Sequence, residues 1–137
     1  MASQDEHKKQ AAYNCEAAQR VEQNIPDWAI TMCFYAALHY VETYAIRTNV
    51  DIKNDYPKKS CSRKPSLHEK RRDYIEDLAY HLRNRNLRKA YSNLEKESKN
   101  SRYINELRFN SREYYQCHRQ KVTMALQNLQ IIRQLLS

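Results

Sequence analysis

The chain has 137 residues and a mass of 16.5 kDa, which suits one domain, 1–137, better than two. It contains no glycine, which excludes glycine-rich phosphate loops, the nucleophile elbow of hydrolases and EF-hand calcium loops, because each needs glycine where the backbone turns sharply. Lysine and arginine number 24 against 16 acidic residues, giving a net charge of +8, and such a surplus favours polyanionic partners.

The predicted elements begin with a helix that opens at a capping box. Ser3 and Glu6 have the spacing of that motif, and the helix is predicted to reach about Val21. Its modest apolar face is predicted to consist of Ala12, Cys15 and Ala18. We therefore expect a peripheral N-terminal helix within residues 1–24.

The second predicted helix is the hydrophobic centre of the chain. Pro26 and Asp27 are typical of a first helical turn, and the apolar pattern then continues to about Arg47. The longest uncharged run, residues 28–41, has 14 residues, fewer than the roughly 18 that a membrane span needs. We expect a core helix, no membrane contact and, because the polar start of the chain lacks the pattern of a secretion signal, a cytoplasmic protein.

Beyond this helix the pattern predicts a basic loop and then three more helices. Residues 48–65 collect Asn, Asp, Pro and Ser and are predicted to form a long exposed loop. Ser66 and Glu69 are predicted to form a second capping box. The helix that begins there is predicted to be interrupted at Asn84 and Asn86. Helices are then predicted over 87–99 and from Asn110 to Leu136, with an irregular stretch over 100–110 that carries the apolar residues Tyr103, Ile104 and Leu107. The prediction is an all-α protein, an antiparallel helical bundle of about five helices.

The positive charge is concentrated in the middle of the chain. Residues 51–121 hold 19 basic and 10 acidic residues, whereas the remainder holds 5 and 6. A localised positive field attracts nucleic acid, nucleotides or an acidic protein, although a merely solvated basic surface has the same composition. The predicted nucleic-acid-binding residues are Lys58, Lys59, Arg63, Lys64, Arg83, Arg85, Arg88 and Lys89.

One group of residues has a spacing suited to phosphate chemistry. His68, Arg71 and Arg72 share a helix face at i, i+3 and i+4, close to a helix N-terminus that itself attracts anions. Arg102 could bind the same phosphate bidentately. The alternatives are a capped helix start with exposed charges and, for Arg102, a salt bridge with a glutamate.

His39 is predicted to be a structural histidine. Tyr35 lies one helical turn before it and Glu42 one turn after it, so both could bond its imidazole. The four cysteines, Cys15, Cys33, Cys61 and Cys117, show no C-x-x-C pairing, and three of them fit a helical apolar pattern. This indicates reduced, buried thiols and no zinc site, since neither Cys117 with His118 nor Cys61 with His68 has a second pair of ligands.

The order of these features resembles the HEPN superfamily of small helical bundles. The likeness spans about residues 28–132 and consists of a core helix with the run FYAALH at 34–39, the SLHE start at 66–69, Arg102-Tyr103 and a long C-terminal helix. The signature of that family is an arginine followed four to six residues later by a histidine. Two pairs match it here, Arg63 with His68 and Arg112 with His118, and the latter pair would lie about 120° apart on an unbroken helix.

The resemblance implies a homodimer that binds RNA or another phosphate-rich ligand. Many HEPN proteins are metal-independent ribonucleases of toxin–antitoxin or antiviral defence systems, and neither a cofactor nor a metal is implied. His68, Arg71, Arg72 and Arg102 are the first candidates for catalysis, and Arg112 with His118 the second. Two alternatives stay open: a noncatalytic nucleic-acid- or nucleotide-binding module, and a subunit that docks an antitoxin or another acidic protein.

Overall fold

The computed structural model describes residues 2–58, 62–102 and 111–137 and contains no strand in these ranges. The all-α prediction is confirmed. Five of the helices have 15 or more residues, and two are short: α3 was not predicted, and α6 is the first part of the predicted last helix. The elements described are α1 (Gln4–Val21), α2 (Pro26–Arg47), α3 (Ile52–Asp55), α4 (Leu67–His81), α5 (Arg85–Arg102), α6 (Ser111–Cys117) and α7 (Arg119–Leu136).

Helix α2 forms the centre of the fold and packs against α1, α5, α6 and α7. Its contact with α1 is the most extensive, and both helices contain fully buried alanines. In α1 the buried residues are Ala11, Cys15 and Ala18, whereas the predicted Ala12 is exposed. The prediction was wrong at this position. Residues 11, 15 and 18 are spaced by four and three positions and so lie on one face of the helix, whereas residue 12 is rotated by about 100° from residue 11.

The predicted capping box is confirmed in full at Ser3, whereas at Ser66 only the hydrogen bond accepted by the serine side chain is present. Ser3 accepts a hydrogen bond from the backbone N–H of Glu6, and the Glu6 carboxylate accepts one from the N–H of Ser3. Ser66 likewise accepts from the backbone N–H of Glu69, and α4 begins at Leu67. These local hydrogen bonds fix the starts of α1 and α4.

Two helices end in Schellman motifs, although the chain has no glycine. At the end of α2, Asn49 has φ 61°, its N–H bonds Ile46 O, and Val50 N–H bonds Ala45 O. At the end of α4, Arg83 has φ 51°, and the same pair of hydrogen bonds runs from Arg83 and Asn84 back to the helix. Asparagine tolerates the left-handed region, whereas arginine adopts it at a cost.

Replacing Arg83 with glycine is expected to raise the free energy of unfolding by about 0.5–1 kcal/mol, because glycine adopts positive φ without a Cβ clash. Urea unfolding measures the change. The matched control is Lys89→Gly, an exposed site inside α5, which is expected to lower stability by about 1 kcal/mol. A loss of stability in both variants would contradict the strain at Arg83.

Three boundaries differ from the predictions. The predicted loop 48–65 contains α3, and its residues Ile52 and Tyr56 are buried. Residues 100–102, predicted as irregular, continue α5, while Tyr103, Ile104, Leu107 and Asn110 lie outside the described residues. The last helix is broken at His118, whose φ and ψ of −122° and 55° separate α6 from α7. In the described part of the chain, every helix is too short or too polar to cross a membrane.

Candidate nucleic-acid interface

A row of exposed cations runs along one face of α5, and we refer to it as the α5 stripe. It occupies an arc of about 100° around the helix and extends about 21 Å, at 100° and 1.5 Å per residue. The residues of the stripe are Arg85, Arg88, Lys89, Lys96 and Lys99, all of them exposed. A shallow surface cavity of about 570 Å³ is lined by four of these cations together with Ser92 and Asn93.

Both acidic residues of α5 are buried and bonded to neighbouring helices. Glu95 and Glu97 are each only 6% exposed. Glu95 accepts an ion pair from Arg72 Nε at 3.0 Å, and Glu97 lies 3.7 Å from Lys121 Nζ and accepts a hydrogen bond from Tyr115 OH at 2.8 Å. A carboxylate of α4 contacts the stripe, where Glu76 lies 3.5 Å from Arg88. The exposed face of α5 is therefore almost uncompensated positive charge.

Sequence reasoning found part of this stripe and missed the rest. Arg85, Arg88 and Lys89 were predicted to bind nucleic acid, and they belong to it. Lys96 and Lys99 were not among the predicted residues, although both lie in the helix predicted over 87–99 and their spacing from Lys89 places them on the same face. Arg83 is exposed in the turn just before α5.

Two of the predicted cations of the 48–65 segment, Lys58 and Arg63, form ion pairs with carboxylates. On the α5 stripe, an ion pair is found for Arg88. Lys58 Nζ lies 2.8 Å from Asp77 Oδ2, which also accepts a hydrogen bond from Tyr56 OH at 2.5 Å. These two bonds lower the pKa of the Asp77 carboxyl. Arg63 pairs with Glu69 at 3.0 Å. Lys64 is exposed, and the predicted Lys59 lies outside the described residues.

The first catalytic group, His68 with Arg71 and Arg72, does not converge on one point. Arg71 Nε donates to Glu42 Oε1 of α2 at 2.6 Å, with the two side chains 12% and 16% exposed. Arg72 instead pairs with Glu95 of α5. The two arginines, adjacent in α4, thus reach different neighbouring helices, and each has a carboxylate partner.

His68, in the first turn of α4, lies near α2 and the end of α5. Its ring centroid is 6.0 Å from that of Phe34, and its Nδ1 is buried without a hydrogen-bond partner among the described residues. Burial lowers the pKa of His68, and the positive charges of Arg71, Arg102 and Lys99 lower it further, partly opposed by Glu95. The lowered pKa favours the neutral imidazole, which is the form that can accept a proton.

Arg102 reaches the same region from the last turn of α5. Its Nη1 donates to Tyr35 OH at 3.0 Å, its Nε donates to Ser98 O at 3.3 Å, and its guanidinium lies 5.7 Å from the centroid of the Tyr35 ring. The Tyr35 ring is in turn 5.4 Å from Phe34. Ring contacts through Tyr35 and Phe34 thus connect Arg102 with His68.

The second catalytic pair is separated by the break between α6 and α7. His118 Nδ1 lies 2.8 Å from Tyr114 O, and its ring stacks on Tyr114 with centroids 4.2 Å apart. Arg112 is exposed in α6. Among the described residues, Arg112 and His118 share no hydrogen bond or ring contact. The helix is broken at His118, so the angle of about 120° expected between the two residues on an unbroken helix does not describe their positions.

His39 is bonded differently from the prediction. Its Nδ1 lies 2.9 Å from Nδ1 of His7, which α1 supplies, whereas Tyr35 bonds Arg102 and Glu42 bonds Arg71. The prediction considered only partners on the same helix, and tertiary packing brought a partner 32 residues away. One ring must donate its proton and the other accept it, so the pair is stable only while at least one ring is neutral.

Stability is expected to fall as pH decreases below about 6.5, the ordinary pKa of histidine. Burial lowers the pKa of His39, with His7 and Arg71 acting in the same direction, so the unfolded chain binds this proton more tightly than the folded protein does. Urea unfolding at pH 7.5, 6.5 and 5.5 measures the loss. His39→Gln is expected to flatten the dependence, with a residual slope from His68, whereas the exposed His81→Gln serves as the control. An unchanged slope in His39→Gln would contradict this prediction.

The cysteines agree only in part with the prediction. Cys15 and Cys33 are buried, and burial raises the pKa of the Cys33 thiol to about 12. Cys117 is exposed, contrary to the prediction, because it lies on the outer face of α6 just before the break. Cys61 lies outside the described residues. Within the described ranges, no group of three or more His, Cys, Asp or Glu residues is arranged to hold a metal ion.

Comparison with models of protein families, with curated proteins and with solved structures finds no match to this chain.

Proposed function

We propose that this chain is an HEPN-like RNA-binding protein that holds the RNA backbone on the α5 stripe. The supporting observation is the segregation of charge on α5: five exposed cations occupy one face, while both acidic residues of the helix are buried and paired. A randomly charged helix surface would mix the two signs. A continuous cationic row attracts a linear polyanion and releases its counterions on binding.

Salt dependence of RNA binding tests this proposal. If the five cations each contact one phosphate, the logarithm of the association constant falls with the logarithm of salt concentration with a slope of about −3.5. Fluorescence polarisation with a labelled 20-nucleotide single-stranded RNA between 50 and 400 mM NaCl measures it. Absence of binding at 50 mM NaCl would refute the proposal.

The alternative partner, an antitoxin or another acidic protein, is distinguished by competition. Polyglutamate with as many charges as the RNA serves as the competitor. RNA recognition predicts that polyglutamate displaces the RNA poorly, whereas a site for an acidic protein predicts displacement at comparable concentrations of charge.

A second candidate function is metal-independent RNA cleavage, and the position of His68 favours it. A neutral imidazole with a buried, unbonded Nδ1 lies near the positive charges of Lys99 and Arg102 at the end of the stripe. His68 would take the proton of an RNA 2′-hydroxyl, whose oxygen attacks the adjacent phosphorus. The P–O5′ bond breaks, the leaving oxygen takes up a proton from water, and a 2′,3′-cyclic phosphate forms. Arg102 would stabilise the charge that develops on the phosphoryl oxygens.

Incubation with mixed RNA in EDTA separates the two candidate functions. RNA cleavage by the wild type that is lost in His68→Ala supports the nuclease. Loss of cleavage in His118→Ala would instead assign it to the second candidate pair, Arg112 with His118. Salt-sensitive binding without cleavage supports the noncatalytic module. The homodimer and the role in a toxin–antitoxin or antiviral defence system rest on the family resemblance, and sedimentation of the purified protein tests the former.

A further inference from the structure

A cavity of about 660 Å³ lies beside α4, on the side of the helix that faces α2 and α3. Its volume falls within the range of about 300–1,000 Å³ that is typical of small-molecule sites. Its apolar wall includes Ile46, Val50 and Leu67, and Leu67 is 41% exposed. An apolar side chain so exposed at the start of a helix has surface available for a ligand to cover.

The polar lining of the cavity includes the ion pair between Arg71 and Glu42, together with His7, Asn49, Asp51 and Lys53. The pair uses Nε of Arg71 and Oε1 of Glu42. The two Nη groups and Oε2 have no hydrogen-bond partner in the described part of the chain, and they are not among its fully buried, unbonded atoms. Both residues line the cavity, so the pair can offer N–H donors next to a carboxylate acceptor to a ligand bound there.

Such an ion pair needs an explanation beyond stability. Withdrawing two charges from water costs as much as their attraction returns, so apolar residues of similar size would stabilise the position equally well. A donor beside an acceptor, above an apolar wall, is complementary to the hydrogen-bonding edge and the flat face of a nucleobase.

Helix α4 separates the cavity from the end of the α5 stripe. In α4, Leu67 and Arg71 are one turn apart and face the cavity, while His68 and Arg72 are one turn apart and face α5. The width of a helix with its side chains is about 10 Å. A strand whose phosphates lie on the stripe could therefore place an unstacked base over α4 and into the cavity.

We propose that this cavity binds a nucleobase, with Arg71 and Glu42 bonding its edge and Leu67 packing on its face. This inference rests on the proposed RNA-binding function for the source of the base. The base could also belong to a free nucleotide, and the chemistry of recognition is the same.

Titration of the full chain with adenosine, guanosine, cytidine and uridine, followed by NMR, tests the cavity without any phosphate. At least one nucleoside is expected to bind, whereas ribose alone does not. Leu67→Trp, which fills the cavity, is expected to weaken binding at least tenfold, and Leu82→Trp is the matched control because Leu82 is 38% exposed at the other end of α4. Arg71→Lys, which keeps the charge and loses the planar fork, is expected to weaken binding equally.

Two results would overturn the proposal: no nucleoside binding above that of ribose, or unchanged binding by Leu67→Trp. The source of the base follows from RNA oligomers of equal charge, one abasic throughout and one with bases. If the oligomer with bases binds at least tenfold more tightly than the abasic one, and Leu67→Trp removes this difference, the base belongs to RNA. If the two oligomers bind with equal affinity and nucleosides still bind, the base belongs to a free nucleotide. Nucleoside binding in a protein that fails to bind RNA would refute the RNA-binding function and leave the cavity proposal intact.

Discussion

A fourfold glutamine variant of the α5 stripe is expected to bind single-stranded RNA roughly 100-fold or more weakly than the wild type at about 0.1 M salt. The substituted residues are Arg85, Lys89, Lys96 and Lys99. Each lost phosphate contact removes about 0.7 from the salt slope, so four contacts lower its magnitude by about 2.8. The same fluorescence titration measures affinity and slope. Stability is expected to change little, because all four side chains are exposed.

The control for this variant removes the same charge from elsewhere. Four exposed cations of α1 and the end of α2 are replaced with glutamine: Lys8, Lys9, Arg20 and Arg47. Both variants lower the formal net charge of +8 by four. If RNA binding depended on net charge alone, the two would lose affinity equally, and that result would refute a specific role of α5.

The parts of the fold that sequence reasoning predicted correctly depend on local interactions. Ser3 with Glu6 and Ser66 with Glu69 bond within three residues, so their spacing alone identifies the helix starts. The apolar density of α2 likewise predicted its central position. The turns after α2 and α4 were harder to predict, because Asn49 and Arg83 occupy a backbone region in which glycine would normally be the indicator.

The candidate site could be predicted only where it follows one helix. The spacing of Arg85, Arg88 and Lys89 reveals part of the α5 stripe from sequence. The partner of Arg71 is Glu42, 29 residues away, and the partner of His39 is His7, 32 residues away. Such pairs are determined by how helices pack, and a helical period carries no information about it.

The same packing explains how α5 comes to present a cationic face. Charges along a helix can be segregated only if the opposite charges have partners inside the fold, since a buried carboxylate without a partner is costly. Glu95 finds Arg72 on α4. Glu97 finds Tyr115 of α6 and Lys121 of α7. The inward carboxylates thus fix the rotation of α5, and with it the direction in which the stripe faces.

Glu97→Ala is therefore expected to lower the free energy of unfolding by about 3 kcal/mol, which corresponds to a decrease in melting temperature of roughly 10 °C. The loss leaves Lys121, itself bonded to Tyr114 OH at 2.8 Å, without its carboxylate, and removes one acceptor of the buried Tyr115 hydroxyl. Thermal and urea unfolding measure the change.

The matched control is Glu76→Ala, which removes an exposed carboxylate that also pairs with an arginine, at 3.5 Å from Arg88. An exposed pair contributes at most about 1 kcal/mol, so this variant is expected to unfold almost as the wild type does. Because Glu76 contacts Arg88 of the stripe, its removal is also expected to strengthen RNA binding slightly, whereas Glu97→Ala weakens binding by loosening α5. Equal stability of the two variants would show that the inward carboxylates do not hold α5 in place.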